Sequence, residues 1–159
     1  MRFKSWLQLI GAILLCEAAG LIGSVFTAQS IPTWYAGIVK PSFNPPNWVF
    51  GPVWTVLFAL MGIALYLVWR QGIHKFPVEY ALTVFGLQLA LNVMWSLIFF
   101  GLHSPFLAAI EIAILWLAIL WTIAAFWKVS RAAAYLLLPY LLWVSFAAVL
   151  TFSIWRLNI

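Results

Sequence analysis

Residues 34–54 read WYAGIVKPSFNPPNWVFGPVW, and this stretch interrupts a chain that is otherwise almost continuously apolar. It contains four prolines, three tryptophans and one lysine. Proline fixes its own φ and biases the residue before it away from the helical region. We therefore predict a rigid, aromatic, non-helical connection, at about residues 28–46, between two apolar segments.

The composition on both sides of this stretch indicates a membrane protein. The 159 residues are 67% hydrophobic and 7% charged, with a mean hydropathy of +1.10, whereas soluble domains carry about 25% charged residues. The net charge of +5 comes from scattered basic residues, so it forms no stripe for nucleic acid. The single cysteine, Cys16, excludes an internal disulfide and a multi-cysteine metal site.

Five apolar segments are long enough to cross a bilayer, which takes about 20 helical residues. We predict an all-α membrane protein, a five-transmembrane-helix bundle in which the structured loop between spans 1 and 2 forms a lid. One domain covers residues 1–159. Ser104 followed by Pro105 marks a helix start, and Gly72 after Arg70 marks a helix end. The spans are predicted near residues 5–27, 47–70, 77–101, 104–127 and 131–156.

The lysine and arginine distribution predicts the orientation. Six basic residues fall on the side of the N-terminus, and only Lys40 and Arg156 fall on the other side. By the positive-inside rule, the N-terminus is cytoplasmic and the proline-rich loop lies on the opposite face, if the chain resides in a prokaryotic cytoplasmic membrane.

Polar residues follow one face of the third span. Gln88, Asn92 and Ser96 are spaced by four, and Trp95 lies beside them. A polar stripe within lipid is expected to face the interior of the bundle. Two interpretations stay open: hydrogen bonding between helices, or the polar wall of a ligand cavity.

Spans 2 and 5 present faces that match this stripe. Pro139 is expected to kink span 5. Ala147 lies one helical turn beyond Trp143, and a small residue beside a large aromatic ring could form a slot for a flat molecule. Close helix packing would explain the same pattern. The residues concerned are Trp54, Phe58 and Met61 in span 2, and Pro139, Trp143, Ala147 and Thr151 in span 5. Trp116 and Trp121 in span 4 are interpreted as packing or lipid-facing.

Two acids lie within spans, Glu17 and Glu111. Such acids are candidates for function, but neither has a basic partner at helical spacing, so we favour a structural role. Small residues recur every fourth position at Ala12, Cys16, Gly20 and Ser24, and again at Gly86 and Ala90. These runs permit close helix packing, either inside the bundle or in a homodimer.

The proline-rich loop is predicted to be a lid over a cavity that spans 2, 3 and 5 line. Its prolines hold a defined course at low entropic cost, and its aromatic residues can pack onto the helix ends. The lid comprises Trp34, Lys40, Pro41, Phe43 and Pro45, together with Tyr35. No metal site, catalytic Ser/His/Asp set or phosphate loop is recognisable.

Three motifs make the chain resemble the TspO/MBR family, also called translocator proteins, tryptophan-rich sensory proteins or peripheral benzodiazepine receptors. They are WYAGIVKPSFNPPNWVFGPVW, LALNVMWSLIFFG at residues 89–101, and PYLLWVSFAAVLTFSIWRLN at residues 139–158. The resemblance covers essentially the whole chain. It implies a five-helix bundle, often a homodimer, whose pocket opens under the first loop.

The resemblance also implies a function and a site. Family members bind tetrapyrroles such as protoporphyrin IX, as well as isoquinolines and benzodiazepines, and are linked to porphyrin handling and stress sensing. Some promote light-dependent breakdown of protoporphyrin IX, in which Trp54 and Trp143 would supply or relay an electron. The porphyrin is then ligand or substrate, and no further cofactor is expected. The matched pocket positions are Tyr35, Pro46, Trp54, Asn92, Trp95, Trp143, Phe146 and Ala147.

One departure concerns sterols. Animal members carry a proposed cholesterol motif with a tyrosine near the end of span 5, and Phe152 stands at that position here. This weakens the case for sterol binding and favours a prokaryotic origin. Three functions stay open: a tetrapyrrole receptor or carrier, a light-dependent porphyrin-degrading enzyme, and a regulatory interaction protein.

Overall fold

The computed structural model describes residues 3–159, with side chains described from residue 5 onward. Arg2 and the Lys4 side chain, which contribute to the predicted orientation, lie outside the described residues. Within the described part, five helices are long and apolar enough to cross a membrane. The predicted all-α, five-span membrane bundle is confirmed.

Each span corresponds to one helix or to two successive helical segments. The first span is α1, the second α3, the third α4 with a π-helical extension, the fourth α5, and the fifth α6 with α7. A short helix, α2, lies in the loop between the first two spans. The bounds are α1 Phe3–Ser30, α2 Trp34–Gly37, α3 Asn47–Trp69, α4 Phe76–Ser96, the π segment Leu97–Gly101, α5 Pro105–Trp127, α6 Arg131–Leu136 and α7 Leu138–Leu157.

The predicted helix boundaries have visible causes. The Ser104 hydroxyl accepts a hydrogen bond from the Leu107 backbone N–H at 3.4 Å, with Pro105 in the first turn. Gly72 follows α3 with a φ of +111°, a conformation that glycine adopts without strain. The fifth span breaks at Leu137, two residues before Pro139, because the proline supplies no N–H to the helical ladder.

The first loop differs from the prediction, because part of it is helical. The span α1 continues to Ser30 instead of ending near residue 27, since no proline restrains the chain before Pro32. Residues Trp34–Gly37 form one helical turn in a segment that we predicted to be non-helical. From Ile38 to Pro46 the chain is irregular, and this part contains Pro41, Pro45 and Pro46.

The core between the spans is closely packed in the half away from the first loop and contains a cavity in the half beneath that loop. Helix α1 packs against α3 and α4, α5 packs against α4 and α7, and α6 packs against α3. In the half away from the lid the core is closely packed, and Phe85 stacks on Phe126 at 5.6 Å. Met61 and Tyr140 are also fully buried there. The lid-side half contains the cavity.

Candidate functional site

A cavity of about 240 Å³ lies between α1, α3, α4 and α7, beneath the first loop. Its walls are mostly aromatic, and its polar groups are few. The side chains that line it include Glu17, Ser24, Thr27, Tyr35, Phe50, Trp54, Thr55, Phe58, Asn92, Trp95, Ser96, Phe99, Phe100, Trp143, Ala147 and Thr151. An aromatic wall with a few polar groups is typical of small-molecule sites.

Three tryptophans from three different spans line the cavity: Trp54, Trp95 and Trp143. The indole nitrogens of Trp95 and Trp143 are buried and have no hydrogen-bond partner within the part of the chain that the structure describes. The deep tryptophans of α5 differ, since Trp116 donates to the Ser145 hydroxyl at 2.8 Å and Trp121 donates to the Tyr80 hydroxyl at 2.7 Å. An unpaired buried donor costs about 1–3 kcal/mol, and both of these nitrogens lie within the wall itself, shielded from the open cavity.

The polar stripe of α4 is divided between a contact with α7 and the lining of the cavity. The Asn92 amide donates to the Tyr140 hydroxyl at 2.9 Å, and that hydroxyl donates to Gln88 Oε1 at 2.9 Å. Gln88 therefore joins α4 to α7 without lining the cavity, whereas Asn92 and Ser96 do line it. Sequence reasoning missed Tyr140. The available signal was its spacing, three residues before Trp143.

The predicted faces of α3 and α7 reach the cavity only in part. Trp54 and Phe58 line it, but Met61 is fully buried in the packed half. On α7 the cavity contacts Trp143, Ala147 and Thr151, whereas Pro139 marks the helix break.

Two of the residues matched through the resemblance lie outside the cavity lining. Phe146 packs beside Trp143 at 5.4 Å and reaches Phe43 of the loop at 6.4 Å. Pro46 is the exposed N-cap of α3. Both residues lie where the first loop meets the bundle, so they border the site from above.

The lid, defined as residues 31–46, is held in its own conformation by polar contacts between lid residues. The Tyr35 hydroxyl donates to Asn44 Oδ1 at 2.8 Å, and burial raises the pKa of this phenol although the Asn44 bond lowers it. Lys40 Nζ donates to the carbonyls of Tyr35 at 2.6 Å and Ile38 at 2.9 Å, and it lies over the Tyr35 ring. Lys40 thus holds the lid together and is occupied within it.

The lid covers the bundle mainly through aromatic side chains. Trp34 stacks on His103 at 4.7 Å and meets the edge of Phe99 at 5.5 Å. Ile31 and Tyr35 are the lid residues that line the cavity. Pro41 and Pro45 lie in the irregular part of the lid, away from the lining.

Helix α1 is a wall of the cavity that the sequence did not predict. Glu17, Gly20, Gly23, Ser24 and Thr27 all line it. The run of small residues on α1 was the sequence signal for this wall. Close packing of α1 on α3 at the start of the run places the later residues of the same helix face beside the cavity. Ala12 and Cys16 of the same run are fully buried within the bundle, which assigns this part of the run to intramolecular packing.

The two intramembrane acids occupy different places. Glu17 lines the cavity and is half-buried, whereas Glu111 on α5 is buried, and neither of its carboxylate oxygens has a hydrogen-bond partner. Among residues 3–159, no group of three or more His, Cys, Asp or Glu side chains could hold a metal ion. The site therefore presents mostly aromatic surface, with a few polar side chains and the carboxyl group of Glu17.

Comparison with known proteins agrees with this architecture. A sequence profile of the TspO/MBR family matches residues 12–156. The chain is 47% identical to the tryptophan-rich protein TspO of Archaeoglobus fulgidus over 152 residues, covering 96% of this chain and 97% of that protein. It is 40% identical to the human translocator protein, with 96% and 91% covered, and 36% identical to protein CrtK of Rhodobacter capsulatus, with 90% and 88% covered.

Proposed function

The chain belongs to the TspO/MBR family, and from that premise we propose that it is an integral membrane receptor or carrier for tetrapyrroles such as protoporphyrin IX. Related flat apolar ligands would occupy the same site. The role would be in porphyrin homeostasis or stress signalling, and the protein would need no cofactor of its own. The proposed binding site is the cavity between spans 1, 2, 3 and 5, and the first loop covers it.

The unpaired indole donors of Trp95 and Trp143 are the observation that carries the proposal. Both donors are buried in an aromatic wall, and no group among the described residues accepts from them. A ligand with a carboxylate, a carbonyl or a ring nitrogen would satisfy them after a rotation of the indole rings brings the nitrogens to the cavity surface, while its apolar face packs on the neighbouring rings. Asn92 lies in the same wall, although its amide nitrogen already donates to Tyr140.

The size of the cavity restricts how such a ligand would bind. At about 240 Å³, the cavity is smaller than the roughly 300–1,000 Å³ of pockets that enclose a drug-sized ligand. A tetrapyrrole would therefore insert one edge between Trp54 and Trp143 and leave the opposite edge outside the cavity. Ala147 supports this arrangement, because its small side chain leaves space beside the Trp143 ring.

Titration of the protein with protoporphyrin IX in lipid nanodiscs, in darkness, tests the proposal. Saturable binding is expected for the wild type, and weaker binding is expected for Trp95→Phe and Trp143→Phe. Trp121→Phe is the matched control, because Trp121 is exposed on α5 and donates to Tyr80. Absence of saturable binding to the wild type would refute the proposal and favour a regulatory interaction protein.

A light-dependent enzyme is the second candidate, and the placement of Trp54 and Trp143 favours it. Both tryptophans line the cavity, where a bound porphyrin would contact them. The bound pigment would absorb light, one of these indoles would supply or relay an electron to the excited porphyrin, and dissolved dioxygen would act as the terminal oxidant of the breakdown. The same assay, repeated under illumination at a porphyrin concentration that saturates both proteins, separates the two candidates: a new product that forms in the wild type but not in Trp143→Phe indicates the enzyme.

The assembly and the orientation form further parts of the proposal. Gly86 is exposed on α4, where an added Cβ would meet no atom within 4 Å, and Ala90 is exposed one turn later. This small-residue face is available for a homodimer, in contrast to the run on α1. The N-terminus is proposed to face the cytoplasm.

Sterol binding is not part of the proposal. Phe152 is exposed on α7 and lacks the hydroxyl that a tyrosine supplies at this position in the proposed sterol motif.

A further inference from the structure

The lid-side cavity is closed towards the water by a fastened loop. Tyr35 is only 3% exposed, and Lys40 joins the carbonyls on either side of the lid turn. The Asn158 side chain at the end of α7 makes two hydrogen bonds to Val39, at 2.9 and 3.0 Å. A ligand coming from the aqueous side would have to displace the lid and break the hydrogen bonds between Val39 and Asn158.

Two of the other seams between neighbouring helices carry a close side-chain contact beside the cavity. Between α1 and α4, Gly23 packs directly on Ser96, and a Cβ at Gly23 would lie 3.0 Å from the serine hydroxyl oxygen. Between α3 and α7, the rings of Phe50 and Trp143 meet edge to face at 6.1 Å. Helix α5 covers the cavity from behind, where it packs against both α4 and α7.

The seam between α1 and α3 is different, because only its far half is closed. There a Cβ at Gly62 would lie 2.5 Å from the Ile13 Cα, and one at Gly20 would lie 2.6 Å from the Phe58 ring. Towards the lid, the helices present lining residues that are exposed on the outer surface of the bundle. We call this opening the α1–α3 slit, and its rim consists of Leu21, Ser24, Gly51 and Thr55.

The rim of the slit is suited to hydrocarbon. The Ser24 hydroxyl donates to the Leu21 carbonyl at 2.7 Å, and the Thr55 hydroxyl donates to the Gly51 carbonyl at 3.0 Å. Their donors are therefore satisfied within their own helices, as lipid requires of polar groups. A Cβ at Gly51 would have no neighbour within 4 Å, so a larger side chain can be placed at this point of the rim.

We infer that the cavity opens sideways into the bilayer through the α1–α3 slit, and that it exchanges apolar ligands with the membrane hydrocarbon and not with water. The inference rests on the proposed function for the identity of the ligand, but the opening itself can be tested with lipid alone. The same slit lets the outer edge of a ligand larger than the cavity remain among the acyl chains.

Stopped-flow quenching of tryptophan fluorescence tests the route, with protoporphyrin IX delivered from donor vesicles to the protein in nanodiscs. Gly51→Trp should slow association about tenfold, which corresponds to an added barrier of about 1.4 kcal/mol. Gly11→Trp is the matched control, because Gly11 is an exposed helical glycine of α1 with equally open surroundings. Asn158→Ala, which releases the lid, should associate at the wild-type rate.

An unchanged rate for Gly51→Trp, or faster association for Asn158→Ala, would overturn the inference in favour of a route under the lid. A second measurement does not depend on porphyrin. Phosphatidylcholine that carries a diazirine within its acyl chain should label Trp54 or Phe58 of the cavity wall upon irradiation, in the wild type and in Gly11→Trp but not in Gly51→Trp. Labelling confined to the outer surface would overturn the inference even if porphyrin binding fails.

Discussion

The side-chain amide of Asn158 makes hydrogen bonds to both backbone groups of Val39, although the two residues are 119 positions apart. The Asn158 nitrogen donates to the Val39 carbonyl at 2.9 Å, and the Val39 N–H donates to the Asn158 oxygen at 3.0 Å. The same nitrogen donates to the Ile154 carbonyl at 2.7 Å, which orients the amide at the end of α7. The end of the last span thus holds the lid.

Asn158→Ala should release this part of the lid without unfolding the bundle. We expect the Val39 amide to exchange with deuterium about tenfold faster, since a hydrogen bond of this kind contributes about 0.5–1.5 kcal/mol. Ile159→Ala is the control, because Ile159 is 80% exposed next to the clamp. Equal exchange in the two variants, measured by mass spectrometry, would show that the clamp does not hold the lid.

Tyr140→Phe should destabilise the bundle by about 1–3 kcal/mol, because it leaves the buried amides of Gln88 and Asn92 without their shared hydroxyl. The free energy of unfolding in detergent micelles measures this loss. Adding Gln88→Leu to Tyr140→Phe should recover part of it, since one unpaired group is removed. Tyr135→Phe, at a residue that is 57% exposed, should have little effect.

Trp95→Phe and Trp116→Phe should separate binding from stability. Trp95→Phe removes a buried donor that has no partner, so its cost to stability should be smaller than that of Trp116→Phe, which breaks the bond to Ser145. The difference should be about 1 kcal/mol, the net contribution of one hydrogen bond. Binding of protoporphyrin IX should weaken only in Trp95→Phe. The reverse order in either measurement would contradict the assignment of the Trp95 donor to the ligand.

Two glycine substitutions should change stability in opposite directions. Gly62→Ala should destabilise the bundle, because the new Cβ would lie 2.5 Å from the Ile13 Cα and force α1 away from α3. Gly11→Ala meets no neighbouring atom and should stabilise α1 by about 0.5–1 kcal/mol, the difference in helix preference. Unfolding in micelles gives both values, and destabilisation of similar size in both variants would argue against close contact at Gly62.

Much of the fold could be predicted because membrane spans are recognised from local properties. Each span is long and apolar, and its ends carry local signals such as Ser104 with Pro105. The helical turn at Trp34–Gly37 was missed because the proline-rich character of the loop was extended to a proline-free segment that precedes Pro41. For the site, polarity indicated the face of α4, but it could not distinguish Asn92 at the cavity from Gln88 inside the helix contact.

The sequence by itself determined that the chain lies in lipid, that it has five spans, and where the structured loop lies. Hydropathy, segment length and proline content are properties of a few neighbouring residues, so they can be read without the tertiary structure. Only the tertiary structure decided which side chains line the cavity, that Tyr140 joins α4 to α7, that α1 forms a wall, and that Asn158 holds Val39. The reason is physical: in lipid the buried and exposed faces of a helix are both apolar. Hydropathy therefore does not reveal rotation about the helix axis, which packing between distant residues sets.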